Sequence, residues 1–68
     1  MSTFIVAYKN NAVVGYIQKV SIKNNTYKLT TDITEAKNYN GNANRVADDL
    51  SFLKHLNTGY VFDFVSIH

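Results

Sequence analysis

The sequence predicts an α+β fold: a four-stranded, mostly antiparallel sheet with one main helix packed on one face. Three observations carry that prediction. β-branched and aromatic residues cluster in the first thirty positions and again in the last eight; asparagine-rich breaks punctuate these clusters; and one stretch, residues 42–57, runs without Gly or Pro at the spacing of an amphipathic helix. The chain has 68 residues, too few for two independent cores, so residues 1–68 are read as a single domain.

Residues 3–8 (TFIVAY) form the first predicted strand, and Lys9-Asn10-Asn11 closes it because asparagine tolerates the left-handed backbone of tight turns. Residues 13–22 read as the second strand, with Gly15 marking a bulge or a longer first loop. Lys23-Asn24-Asn25 then separates it from residues 26–30, where Tyr27 and Leu29 alternate with polar neighbours as a third strand. In residues 31–39, Asp32 is an N-cap with Glu35 three positions later, which predicts a short helical turn. Asn40-Gly41 breaks it. Asn42 caps the main helix, Thr58-Gly59 ends it, and residues 60–67 (YVFDFVSI) are the last strand, followed by His68. A helix that crosses the meander by a right-handed connection places the fourth strand beside the first, order 3-2-1-4, with that pair parallel.

Along the helix, Ala43, Val46, Ala47, Leu50 and Leu53 share one stripe, flanked by Leu56, while Phe52 falls on the polar side. Phe52 either packs under residues 31–41 or anchors a partner. In the strands, Phe4, Val6 and Tyr8 are assigned with Tyr60, Phe62 and Phe64 to the helix-facing core, because Asp63 on that face would need a partner. This leaves Ile5, Ala7, Ile17, Val61 and Val65 on the reverse face, either as scattered apolar residues or as a contiguous docking patch.

The composition narrows the function classes. With no cysteine there is neither a disulfide framework nor a thiolate metal cage. No apolar run is long enough for a membrane span, and residues 1–6 lack the basic start and long apolar stretch of a secretion signal, so a cytoplasmic location is expected. Seven Lys and Arg against five Asp and Glu give a net charge of only +2. His55 and His68 have no metal-ligand spacing, Asp48 and Asp49 diverge on a helix and are expected to be solvated, and no serine or glycine pattern marks a nucleophile or a phosphate loop. No enzyme activity, metal or cofactor is therefore expected. The second hairpin interleaves Lys19, Lys23 and Lys28 with Tyr16 and Tyr27, charges for phosphate and rings for bases, with Lys9 joining only if the first loop folds toward them. The nine asparagines serve turns and caps.

Residues 27–39 follow the pattern Y-x-L-T-x-D-x-x-x-A-K-x-[YF], and a polar linker, an amphipathic helix and an aromatic last strand come after them. In this the chain resembles small proteins encoded by phages of low-GC Gram-positive bacteria. The resemblance spans roughly the C-terminal two-thirds and implies no particular binding residues. It implies a class: proteins that occlude a host enzyme or defence complex stoichiometrically, anti-CRISPR inhibitors among them.

The expectation from the sequence is thus a non-catalytic protein-binding domain of the host cytoplasm, with Phe52, Leu56, Ile5, Ile17, Val61 and Val65 as its contact residues. Two alternatives stand beside it: nucleic-acid binding through Lys19, Lys23 and Lys28, and a homodimer with a self-complementary sheet face.

Overall fold

The structure, a computed structural model, describes residues 1–67; His68 lies outside the described residues. Its strands are β1 (Ser2–Lys9), β2 (Ala12–Ser21), β3 (Thr26–Thr30) and β4 (Val61–Ile67), with a 3₁₀ turn at Ile33–Glu35 and one α-helix, α1 (Ala43–His55). The sheet order is β3-β2-β1-β4, and every neighbouring pair is antiparallel.

Asn10 and Asn11 alone connect β1 to β2, both with positive φ (54° and 64°), the backbone that a two-residue type I′ hairpin needs. Next to this turn the register slips: Ala7 faces Gly15 but Tyr8 faces Val13, which leaves Val14 as the extra residue of a bulge. Gly15 has a second reason to be glycine. A Cβ there would stand 2.9 Å from the carbonyl oxygen of Thr30, so the end of β3 passes too close for any side chain. A second slip makes Gln18 the extra residue between the Ile17↔Leu29 and Lys19↔Lys28 pairs.

The β1–β4 pair is antiparallel, where a single helical crossing predicts a parallel one. The cause is residues 31–42, which cross the sheet themselves before the helix begins. Lys37 donates its backbone N–H to the Ile17 carbonyl (2.9 Å) and Tyr39 donates to the Thr3 carbonyl (2.8 Å), which leads the chain to the far end of β1 from the first hairpin. There the Gly41 N–H meets the Thr3 hydroxyl (3.2 Å). The helix then runs back along the sheet, and β4 enters at Val61 opposite Tyr8 and leaves at Ile67 opposite Ser2. Two crossings instead of one reverse the last strand.

Local capping follows the side chains. Asp32 Oδ1 accepts from the backbone N–H (2.9 Å) and hydroxyl (2.6 Å) of Thr34, bonds that hold its carboxyl below the usual range. Asn42 caps α1 by accepting from the Arg45 N–H at 3.2 Å. The helix ends at His55 rather than Asn57: Leu56 turns to an extended backbone, and Gly59 with φ of 81° aims the chain into β4.

The core joins Ile5, Ala7, Ile17 and Phe62 of the sheet to Val46 and Leu53 of α1 and to Tyr39 of the crossing segment. The Tyr27 and Tyr60 rings meet the Phe62 ring in T-shaped contacts, with centroids 6.0 and 6.3 Å away. This corrects the face assignment for β1 and β2. Ile5 lies opposite Phe64 and Ala7 opposite Phe62, so these pairs share the helix side, and Ile5 and Ile17 are 0% exposed. Phe4, Val6 and Tyr8 pair with Val65, Asp63 and Val61 on the reverse side. A shift of one residue in β1–β4 pairing exchanges the two faces of β1.

The helix stripe is also rotated from the expected one. Val46, Asp49 and Leu53 are buried, while Ala43 and Ala47 are exposed. Asp49, expected in solvent, is held instead by the Tyr39 hydroxyl, which donates to its Oδ2, and by the Lys37 ammonium at 3.4 Å. The Lys37 ammonium also stands 4.9 Å from the centre of the Tyr39 ring. Burial, the hydrogen bond to Asp49 and that carboxylate's charge push the Tyr39 hydroxyl far above the ordinary phenol range, with Arg45 opposing.

Candidate protein-docking edge

An antiparallel strand residue sends its N–H and C=O to the same side, and successive residues alternate. Thr3 identifies those sides. Its N–H is accepted by Asn38 Oδ1 (3.1 Å) and its carbonyl accepts from Tyr39, so both of its backbone groups point away from β4. Counting by twos, Ser2, Phe4, Val6 and Tyr8 face β4 and bond to Ile67, Val65, Asp63 and Val61. The remaining β4 residues, Phe62, Phe64 and Ser66, therefore turn their N–H and C=O groups outward along the free edge of the sheet. One of those donors is occupied: the Phe64 N–H is accepted by the Asp63 side chain at 2.8 Å.

Apolar surface gathers along this edge. On the side away from the helix, Val61 is 68% and Ile67 49% exposed, with half-buried Val65 between them. On the helix side Phe64 is 52% exposed beside a groove of about 200 Å³, lined by Met1, Ala43, Val46, Ala47 and Leu50 among others. Ala43 and Ala47, one turn apart, are too small to fill the space over Phe64. Sheet edges are commonly guarded by lysine, proline or short length. In β4 only Asp63 does this, whereas β3, the other edge, has five residues and carries Lys28.

The residues expected to bind a partner separate accordingly. Val61 and Val65 lie on this edge strand. Ile5 and Ile17 are in the core and out of reach of any partner. Phe52 is half-buried against the core cluster, and Leu56 is half-buried just past the helix. Phe64 and Ile67 were missed because the period-two pattern places Phe64 in a core that the helix does not reach. Lys19 and Lys28 face each other across β2 and β3, Lys23 lies in the loop between them, and Lys9 is at the opposite end of the sheet.

Tyr39, Lys37 and Asp49 resemble a proton-transfer group in composition, but Tyr39 and Asp49 are 5% and 6% exposed, and no buried side-chain polar atom lacks a partner among the described residues. They are a closed structural cluster. Among the described residues no three His, Cys, Asp or Glu side chains gather as metal ligands, and no helix is long and apolar enough to cross a membrane. No protein-family model, curated protein or solved structure matches the chain. The fold and the edge geometry thus define a small α+β domain with one sheet edge guarded by Asp63 alone.

Proposed function

We propose that the protein is a non-catalytic binding domain that pairs through the free edge of β4 with an extended segment of another protein. The outward backbone of Phe62, Phe64 and Ser66, flanked by exposed Val61, Ile67 and Phe64, carries this reading. Strand addition of this kind takes affinity from main-chain hydrogen bonds and specificity from alternating side-chain pockets. An apolar side chain of the incoming strand would fill the groove beside Phe64, and a Lys or Arg would face Asp63. That charge favours a foreign strand over a second copy: self-pairing centred on Phe64 brings the two Asp63 carboxylates to diagonal positions on one face, about 7–8 Å apart at the Cα atoms. The resemblance to small phage proteins supports a biological form in which the partner is a host protein that the domain occludes.

Capture of a partner from host cytosol, with light scattering on the purified protein, tests the reading. Ser66→Pro removes an outward donor and leaves the backbone bonds to β1, losing only the long hydroxyl contact with Thr3 (3.5 Å), and Val61→Lys adds charge to the apolar flank. Each is expected to abolish capture while melting temperature and far-UV dichroism stay native. Unchanged capture by both variants would show that the contact lies elsewhere.

A further inference from the structure

We infer that the β2–β3 hairpin is a second binding site, one that takes the phosphate backbone of single-stranded nucleic acid on Lys19 and Lys28. The site is independent of the β4 edge, since β3 and β4 are opposite edges of the sheet.

Lys19 and Lys28 are directly paired across the strands. Like charges at such positions repel, with Cβ atoms about 5 Å apart, and destabilise the pair. Residues 12–30 contain three lysines and no Asp or Glu; the Glu35 carboxylate that borders the hairpin is engaged by the Thr30 hydroxyl at 3.4 Å, and no ion pair joins it to Lys19 or Lys28 among the described residues. The ion pair among the described residues, Lys37 with Asp49, lies on the crossing segment and helix. A mobile anion between the two ammonium groups removes the repulsion.

The surroundings suit a phosphate. Ser21 and Thr26 form the pair that closes the strands, and alternation puts their hydroxyls on the face that carries Lys19 and Lys28. With Asn24 these residues line a depression of about 130 Å³. Lys23 sits in the adjoining loop, where its flexible stem can reach the same chain of phosphates. Lysines act as point charges without a fixed fork, so the site holds a backbone and does not read a base sequence.

Tyr16 makes a nucleic acid the favoured source of the phosphate. It pairs with Thr30, two residues along β3 from Lys28, on the same open face and only half-buried. The separation along the strand is about 7 Å. An aromatic ring beside a basic track is the platform on which an unpaired base stacks, which selects single strands. Tyr27 also lines the depression, but its ring meets Phe62 of the core, so Tyr16 is the ring left for stacking.

Fluorescence anisotropy with labelled oligouridylate and oligothymidylate tests the site. The wild type is expected to bind with a log–log salt slope of about −2, the value for three phosphate contacts on a single strand. Lys28→Glu turns the repulsive pair into an attractive one, so it is expected to raise the melting temperature while it weakens binding by about tenfold or more. Loss of binding with a gain in stability cannot be unfolding. Tyr16→Leu is expected to weaken binding without changing the salt slope. Absence of salt-dependent binding, or full binding by Lys28→Glu, overturns the inference. So does equal affinity for polyglutamate, or binding of inorganic phosphate with none of the oligonucleotides.

Discussion

Gly15 and Tyr39 show how single side chains hold this small sheet together. At Gly15 the nearest atom to an added methyl group is a backbone carbonyl, which cannot swing aside. Gly15→Ala is therefore expected to cost about 1–3 kcal/mol, measured by urea denaturation, despite alanine's better intrinsic behaviour elsewhere. Tyr39 reaches from the crossing segment to buried Asp49. Tyr39→Phe keeps the ring but removes a donor from a buried carboxylate, an expected loss of about 1–3 kcal/mol. The same contact has a pH signature. Because the folded hydroxyl titrates above the unfolded phenol value of 10.0, its contribution is complete below that pH and falls as pH rises beyond it. Alkaline denaturation of the wild type should thus be steeper above that value than that of Tyr39→Phe; equal slopes would remove Tyr39 from the account.

Among the elements, the crossing segment and β4 have opposite characters. The pattern at residues 27–39 is nearly all structural. Tyr27 and Leu29 pack against the core; the Thr30 hydroxyl accepts the Asp32 N–H at 3.1 Å; Asp32 caps the 3₁₀ turn; Ala36 donates to the Ile33 carbonyl at 3.2 Å; and Lys37 and Tyr39 engage Asp49. These residues lay the chain back across the sheet, so the pattern describes a path and gives no site. By contrast, β4 has bonding capacity left over, and Asp63 limits it by accepting from Phe64. Asp63→Ala frees that donor and removes the charge. Light scattering is expected to show a mass that rises with concentration for this variant but not for the wild type; a monomeric variant would mean that Asp63 is no guard.

Across the molecule, one core must hold a chain too short for a second, and Phe62 stands near its centre. It is 4% exposed, faces Ala7 in the register and makes T-shaped contacts with two tyrosine rings. Phe62→Ala is expected to cost about 3–5 kcal/mol, most of the margin of a small domain. Near-UV dichroism should then show the variant largely unfolded at room temperature. Charge is also unevenly placed. The β2–β3 hairpin carries three lysines and no acid of its own, with Asp32 and Glu35 bordering only its Thr30 end, while Asp63 lies on β4 at the other edge and Asp48 and Asp49 lie on α1. A foreign strand and a nucleic acid would therefore meet different fields on one molecule.

Element types, their order and their caps were readable from residue chemistry, because each depends on neighbours within a few positions: Asn10-Asn11 for the turn, Asp32 and Asn42 for the caps, alternation for the strands. Strand order followed from chain connectivity. The direction of β4 and the inward side of β1 were not readable. Direction turned on two backbone hydrogen bonds, from Lys37 and Tyr39, that any residue except proline can donate. The inward side turned on pairing Thr3 with Ser66, residues 63 positions apart, in strands apolar on both faces, where a slip of one residue satisfies the pattern equally well. Ile5 and Ile17 went into the core, and Phe64 was left at the rim, by that long-range pairing and by the reach of one short helix.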